Sequence, residues 1–429
     1  MTRFHSFILT MLITLLLPAL TGASVQDRVY PVIGLAPDDG YPVWLADDVD
    51  NYLPLRTSQT SGLDWVFSDT DPEGNQRHWL IMADDSDPGG IHLVSLEAES
   101  VEPVVNFHGD TLTPPPPGVS LIPVTPGDGY DWEGIAYHPW SETVFIAQEG
   151  ALSDIAIYIG QVSSAGIDIG SDGYGRAGET GLVPGYITNI RQLELPGFSD
   201  VFGPYLDQNV GIEGIACSED RLFLGLESPH TMTDRFFDDL STVMGIWKID
   251  SGNPGNIDSC ELIASHDTSG WTEILGDTVE TICGLDALDN NHVVGLDRDN
   301  QEIFSVTFSD TGEFTGGRIF YLDTPGPGPL ESDGCEEPVE LPRLVKPSLE
   351  SIALVPSGGT EITSFSVGVD YSIYVAVDPW APGWALLTDE WRCENYESRL
   401  TDLLPAIYRY TVPFEVLFPG YVGDAESTD

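Results

Sequence analysis

A short phrase, an acidic residue and a glycine followed by an apolar run, recurs along the chain and constrains its fold more than any other feature. It is clearest in Asp131–Gly150, DWEGIAYHPWSETVFIAQEG, and returns in Ile212–Ser228, IEGIACSEDRLFLGLES. In both places apolar residues flank a polar turn at Pro139–Thr143 or its counterpart, the pattern of two short strands with a buried face. A unit found more than once predicts a repeat architecture.

Five copies can be followed, each with about four strand-like runs and almost no helical periodicity. Their openings fall roughly seventy residues apart, at Gly62, Gly134, Gly214, Gly284 and Ser351. Compact propeller repeats take roughly 40–50 residues, so about twenty residues per unit are left for loops. Radial repetition hides sheet edges because each blade buries its faces on its neighbours. We therefore predict an all-β fold, a β-propeller of five or six blades, with a sandwich or two β domains as the rival.

The blade boundaries lead to further expectations. A sixth blade could be assembled from Val29–Leu55 and terminal strands. The first unit is expected to include a strand at Val101–Phe107, and the fifth to end with strands at Ala406–Val412 and Phe414–Phe418. We expect a single domain over residues 24–429, with loop insertions near 109–131, 325–347 and 379–405.

The first 23 residues are typical of an export signal, with Arg3 before an apolar run at Phe7–Leu20 and small residues after it. We therefore expect a secreted or periplasmic protein with no membrane insertion after the signal is removed. In an oxidising compartment five cysteines allow up to two disulfides, whose pairing stays open. No CxxC pair occurs in the sequence, which disfavours a thiolate zinc site.

The charge balance limits the partners. The chain has 69 acidic and 16 basic residues, a formal net charge of -53. Nucleic acid and anionic membranes attract clustered Lys and Arg, so neither is expected as a partner. Such a surface is consistent with a saline habitat and equally with an ordinary, well-solvated secreted protein. We expect a monomer that acts on a small molecule.

Several phrases carry a resemblance to a known family: WEGIA at 132–136, NVGIEGIA at 209–216, GLDALDNNHVVGLDRD at 284–299 and LESIAL at 349–354. They resemble the secreted bacterial family described as having esterase-like activity of phytase. The resemblance implies a propeller and a hydrolytic activity. Similar Glu-Gly openings occur in the sugar-lactone hydrolases, where the resemblance implies a glutamate that helps to hold a divalent metal. The openings at Ser61-Gly62 and Cys283-Gly284 lack the acid, which excludes a symmetric ring of carboxylates.

The first strand of each propeller blade lines the central channel, so Glu133, Glu213 and Glu350 are expected to converge at its mouth. Carboxylates held together repel each other unless a cation relieves the repulsion, and hard oxygen ligands suit calcium or magnesium. These three residues are the predicted metal ligands, with calcium the expected ion. The other interpretation is that each glutamate accepts backbone N–H bonds from the next blade and locks the ring.

The second strands also end in acids, which could ligate metal or activate water: Asp84-Asp85, Glu149, Glu227, Asp297 and Asp378. The predicted catalytic residues are Glu149, Glu227, Asp297 and Arg298. A solvated turn carboxylate is the simpler interpretation of each single acid, and Arg298 either meets an anionic substrate or pairs with acids.

Other catalytic patterns are missing from the sequence, which has no GxSxG elbow, no HExxH and no glycine-rich phosphate loop. Metal-activated water attacking an ester or phosphoester is the chemistry that the carboxylates favour. We therefore predict an exported hydrolase of ester or phosphoester bonds that depends on calcium or another divalent ion. The alternative is a non-catalytic propeller that binds a ligand or protein through its channel face.

Overall fold

The computed structural model describes most of the repeated units. The described residues are 33–36, 38, 43–44, 46–48, 53–54, 60–70, 74, 76–84, 90–97, 120–125, 131–149, 155–162, 187–206, 210–228, 241–250, 257, 259–322, 348–356, 370–378 and 406–419. The expected export signal, the insertions near 325–347 and 379–405, and the strand expected at Val101–Phe107 lie outside them, as do Cys335 and Cys393. Within these residues no helix is long and apolar enough to cross a membrane.

The described strands form five sheets of four or five strands and one small hairpin. Four short strands precede the first full sheet: β1 (Ile33–Leu35), β2 (Val43–Trp44), β3 (Ala46–Asp48) and β4 (Leu53–Pro54). The first blade contains β5 (Thr60–Thr70), β6 (Gln76–Asp84), β7 (Gly90–Glu97) and β8 (Ser120–Thr125). The second contains β9 (Asp131–His138), β10 (Thr143–Glu149), β11 (Ala156–Val162) and β12 (Ile187–Gln192).

The remaining blades follow the same plan. The third contains β13 (Ile212–Cys217), β14 (Arg221–Leu226), β15 (Val243–Asp250) and β16 (Ser259–Asp267). The fourth contains β17 (Gly284–Ala287), β18 (His292–Asp297), β19 (Glu302–Phe308) and β20 (Phe314–Leu322). The fifth contains β21 (Ser348–Pro356), β22 (Asp370–Asp378) and β23 (Ala406–Pro413). The helices are single turns: α1 (Phe198–Val201), a 3-10 turn at Thr268–Trp271, α2 (Thr272–Leu275) and α3 (Phe414–Leu417).

The first strands of the blades close into a ring, in the order β5, β9, β13, β17, β21 and back to β5. The recurrent glycine permits this closeness. A Cβ built on Gly134 would lie 2.4 Å from the backbone oxygen of Glu213, and one on Gly62 would lie 2.5 Å from the amide nitrogen of Ile135. A side chain at either position would push neighbouring blades apart, so the phrase that repeats in the sequence marks backbone contacts between blades.

Apolar side chains fill the space between neighbouring blades. Among the described residues each gap has its own buried core, represented by Trp79 with Ile135, Phe145 with Leu224, Phe223 with Val293, Leu296 with Ile352, and Leu63 with Tyr374. Blades that bury both faces in this way define a propeller. The predicted all-β propeller is confirmed.

The N-terminal strands extend existing blades. β1 pairs in parallel with β20 at the outer edge of the fourth blade, and β2 pairs antiparallel with β23 as the outer strand of the fifth. The described residues therefore show five blades, and the segment considered for a sixth covers the edges of two of them. Covering an outer strand satisfies backbone groups that an open edge would leave unpaired.

Two expectations about strands differ from the structure. The prediction of a strand at Phe414–Phe418 is wrong: after Pro413 the chain turns into α3, which buries Phe414 and Leu417 three residues apart on one helix face. The strand β8 lies inside the 109–131 segment that was expected to be a loop insertion. Its alternation is interrupted by Pro123, which hides the strand pattern in the sequence.

Candidate functional site

Five equivalent residues stand one position before the close contact between neighbouring first strands. They are Ser61, Glu133, Glu213, Cys283 and Glu350, and all five side chains are buried. Because the first strands surround the central channel, this position is repeated five times around one channel mouth. Three of the five are the glutamates predicted to converge.

Arg298 lies among these glutamates. It sits on the turn between β18 and β19, and its guanidinium makes close ion pairs with Glu227 and Glu350. Its Nη1 lies 3.7 Å from Oε2 of Glu213. The acids that pair with Arg298 therefore come from the third and fifth blades, far away in the sequence.

The electrostatics show how tightly these groups interact. Burial raises the pKa of Glu213 well above its usual range against the opposing effect of Arg298, and repulsion from Glu227, Glu350 and Glu133 raises it further. Burial also raises the pKa of Glu350, again opposed by Arg298. Although burial disfavours its charge, Arg298 has a pKa well above the ordinary value because three carboxylates stabilise the guanidinium.

Hydroxyl groups hold two of the glutamates in place. Ser61 donates a short hydrogen bond from its Oγ to Glu133, and Ser348 donates one to Glu350. Glu149 lies at the same mouth, where the absence of a side chain at Gly211 leaves it room: a Cβ there would be 2.9 Å from Oε1 of Glu149. Of the predicted catalytic residues, Glu227 and Arg298 therefore lie with the predicted metal ligands, and Glu149 lies beside Gly211, two residues before Glu213.

Asp297 is also close in sequence but has different surroundings. Its carboxylate is fully buried and accepts hydrogen bonds from the Glu280 amide at 2.8 Å, from Thr281 Oγ1 at 2.9 Å, and from the amide and side chain of Asn300, both at 3.2 Å. Thr281 Oγ1 in turn accepts the amide hydrogen of Arg298 at 2.9 Å. The geometry makes Asp297 a positioning residue that fixes the turn carrying Arg298.

The donor set can be tested for its fit to a metal ion. Within the described part of the chain no group of three or more His, Cys, Asp or Glu residues is arranged to hold one. Arg298 lies where a cation would have to contact Glu213 and Glu350, and it already neutralises part of their charge. In this arrangement the residues do not fit a metal ion. The side chains of Asp84, Asp85 and Asp378 lie outside the described residues.

A second pair of carboxylates was not predicted from the sequence. It lies on two of the first strands, three residues after the five equivalent positions. Asp64 and Asp286 occur in the two blades whose openings lack glutamate, whereas the other three blades have alanine there. Asp64 accepts the amide of Tyr137 at 2.5 Å and Asp286 accepts that of Leu354 at 2.6 Å, so each carboxylate joins its blade to the next. Aligning the five openings with one another would have revealed that aspartate occurs at this position only where the opening lacks glutamate.

Burial and mutual proximity change the acidity of this pair. Burial raises the pKa of Asp286 to about 7. Burial also raises the pKa of Asp64 well above its usual range, and repulsion from Asp286 adds to the effect. The channel thus has two acidic layers, one containing Arg298 and one without a described cation.

Fold and site together define a β-propeller whose first strands present an acidic channel mouth around one buried arginine. The chain belongs to the phytase-like family described as having esterase-like activity of phytase, whose family model matches residues 55–328. The match covers the first four blades, including Glu133, Glu213, Glu227 and Arg298, and ends before the fifth.

Solved structures give only distant likenesses. A luciferin-regenerating enzyme is 10% identical, with 88% of this chain and 97% of that chain covered and a TM-score of 0.38. The catalytic domain of a GH62 alpha-L-arabinofuranosidase from Coprinopsis cinerea is 10% identical, with coverages of 88% and 98% and a TM-score of 0.39. At these values neither fold nor activity is inferred from them. No curated protein matches the sequence.

Proposed function

We propose that the protein is a hydrolase that cleaves ester bonds at the channel mouth around Arg298. One observation carries the proposal: a buried carboxylate oxygen, Oε2 of Glu213, accepts no hydrogen bond from the described residues and lies 3.7 Å from the Arg298 guanidinium. A proton acceptor and a fixed positive charge thus face each other in a water-poor site. The description of the family, which names an esterase-like activity, supports the same class of reaction.

The two groups match the needs of ester hydrolysis. A base must take a proton from the attacking water, and a positive charge must stabilise the oxyanion that forms on the carbonyl or phosphoryl group. Glu213, with its raised pKa, would be the base. Arg298 has five N–H donors, and those not engaged with Glu227 and Glu350 would donate to the oxyanion.

The arginine is preorganised for this role. Its backbone is fixed through Thr281 and Asp297, and its guanidinium is fixed by ion pairs from two other blades. A charge held rigidly in a buried site stabilises a transition state without reorganising during the reaction. The acids around Arg298 therefore position it, even though they reduce the net positive charge of the site.

The proposal is tested by a hydrolysis screen over carboxyl esters, lactones, phosphomonoesters and phosphodiesters. We expect turnover of at least one ester class and a loss of about 100-fold or more in kcat for Glu213→Gln and for Arg298→Gln, the scale expected when a base or an oxyanion donor is removed. Glu261→Gln removes an exposed carboxylate on β16 and is the matched control. Circular dichroism and thermal melts check that each variant is folded.

The same screen has outcomes against the proposal. Folded Glu213→Gln enzyme with full activity would remove Glu213 from the mechanism. No activity on any class, with calcium added, would favour the alternative of a propeller that only binds a ligand or protein.

The calcium dependence predicted from the sequence would need a different arrangement of these residues, and it has a separate test. Calcium and the Arg298 guanidinium would compete for the same carboxylates, so a calcium-dependent enzyme would require Arg298 to leave Glu213 and Glu350. Loss of activity in chelator with recovery on adding calcium would support this form of the site. Activity indifferent to chelator would rule out the metal mechanism.

Export is proposed together with the activity. We expect the mature protein outside the cytoplasm, without residues 1–23, and monomeric. N-terminal sequencing of the protein recovered from the medium or periplasm, with light scattering of the purified chain, checks these expectations.

A further inference from the structure

One of the five equivalent positions at the channel mouth has a hydroxyl group, and that hydroxyl is bound to a carboxylate of the neighbouring blade. Ser61 takes this position in the first blade, and its Oγ donates its hydrogen to Oε2 of Glu133 in the second. Both residues are more than nine-tenths buried. A hydroxyl whose hydrogen points at a carboxylate within hydrogen-bond reach has the arrangement of a nucleophile and its general base.

The backbone holds Ser61 in this place from both sides. On one side, Thr60 Oγ1 donates to the Val377 carbonyl of the fifth blade at 2.7 Å. On the other, Gly62 lies so close to the second blade that a Cβ on it would be 2.7 Å from the carbonyl oxygen of Glu133. Moving Ser61 away from Glu133 would therefore separate the first blade from its neighbours. Reacting groups held in a fixed orientation lose little further entropy in the transition state.

Glu133 connects this hydroxyl to the site around Arg298. Its carboxylate is close enough to Glu213 for repulsion between the two to contribute to the raised pKa of Glu213. Glu213 Oε2 in turn lies 3.7 Å from Nη1 of Arg298. Three successive blades thus place a hydroxyl, a carboxylate beside it and a second carboxylate beside the arginine at one channel mouth.

We infer that Ser61 is the nucleophile of a carboxyl esterase and that the reaction passes through an acyl-serine. The inference rests on the proposed function and deepens it by naming a further catalytic residue. Ser61 Oγ forms a bond to the carbonyl carbon while its proton passes to Glu133. The bond from that carbon to the leaving alcohol breaks, and the alcohol takes the proton from Glu133.

Water completes the reaction in the second step. It attacks the acyl-serine and gives a proton to Glu213, which keeps the role of base that it has in the proposed function. The bond between the carbonyl carbon and Ser61 Oγ then breaks, the free acid leaves, and Oγ recovers the proton. A carboxyl ester brings no charge to this step, whereas a phosphomonoester would bring negative charge to a chain whose net charge is -53.

The probe for this inference is p-nitrophenyl acetate, whose alcohol and acid leave in separate steps. The Glu213→Gln variant lacks the base for the attacking water, so it should release p-nitrophenol and accumulate an acetyl group. Mass spectrometry of the acid-quenched, digested chain should place that group on Ser61. This readout does not require the Ser61 variant to fold.

Substitution of the serine gives a second readout. Ser61→Ala should lose acetylation and lower kcat by about 100-fold or more, since the acyl-serine can no longer form. Ser199→Ala, at an exposed position on α1, is the matched control and should behave as the parent chain. Circular dichroism checks that both variants are folded.

The outcomes separate this inference from the proposed function. Ester turnover without an acetyl group on Ser61 in either the parent chain or Glu213→Gln would overturn the inference and leave the proposed function standing. Full turnover by folded Ser61→Ala, or turnover of phosphoesters alone, would do the same. Acetylation of Ser61 in the parent chain without turnover of any ester would overturn the proposed function and leave the nucleophile standing. Neither acetylation nor turnover would overturn both.

Discussion

Asp297 and Arg298 are chain neighbours with different roles at the scale of single residues. Arg298 reaches acids of the third and fifth blades, while Asp297 accepts four hydrogen bonds from the segment around Glu280, Thr281 and Asn300. A buried carboxylate with several donors is valuable chiefly because its removal leaves those donors unsatisfied. The two residues should therefore respond differently to substitution.

Replacing Asp297 is expected to damage stability first. Asp297→Ala leaves four buried or half-buried donors without an acceptor and should lower the free energy of unfolding by about 2–3 kcal/mol. Urea denaturation measures the loss, and Glu261→Gln is the surface control. An unchanged midpoint would show that water replaces the carboxylate and that the turn does not depend on Asp297.

The stability of the fold depends on pH through Asp286, whose pKa is raised to about 7 by burial. Its unfolded-state pKa is near the ordinary 3.8, so between these values the folded state binds more protons than the unfolded state. Stability from this group is therefore present below the unfolded pKa and falls as the pH rises through about 7. Asp286→Asn should remove this fall.

Denaturation curves at pH 4 and pH 8 check the sign. Relative to the parent chain, Asp286→Asn should be more favourable for stability at the higher pH. Asp370→Asn, at an exposed position on β22, removes an equal charge and should show a smaller dependence. Equal differences at both pH values would contradict the raised pKa of Asp286.

At the scale of elements, the N-terminal segment completes the fifth blade. β2 is the outer neighbour of β23, and Asp38 just before it binds Arg409 Nε at 2.9 Å and Thr411 Oγ1 at 2.7 Å. The Asp38 amide also donates to the Arg409 carbonyl at 2.8 Å. These contacts attach one end of the described chain to a strand near the other end.

Asp38→Ala should loosen this attachment. We expect the unfolding free energy to fall by about 1–2 kcal/mol, because the carboxylate loses its ion pair with Arg409 and its hydrogen bonds from the hydroxyl and the amide of Thr411. Limited proteolysis should then cut before β5 sooner than in the parent chain, with Asp370→Ala as the control. Equal cleavage rates would show that β2 pairing alone holds the segment.

At the scale of the whole molecule, the net charge of -53 opposes compactness. Self-repulsion between surface carboxylates is screened by salt, so the melting temperature should rise from about 0.1 M to about 2 M KCl. Tetramethylammonium chloride is the control for screening without a small cation. A melting temperature that is flat or falls in both salts would show that apolar cores between blades dominate the acidic surface.

Much of the fold could be predicted from the sequence because it depends on local repetition. The opening at Gly134 and its copies mark strands, and the turn after His138 falls where the alternation stops. Strand pairing within a blade joins neighbours in the chain, so the pattern around Asp131–Gly150 contains it. The outer strand of the fifth blade was misplaced because β2 and β23 are at opposite ends of the chain.

The sequence by itself determined that this protein repeats a four-stranded unit and that Glu133, Glu213 and Glu350 stand at equivalent places in it. Only the tertiary structure decided what meets those glutamates. Arg298 reaches them from another blade, across a distance in sequence that no local pattern reports. Periodic side chains record which face a strand buries, whereas contacts across the channel depend on how the closed ring places its blades.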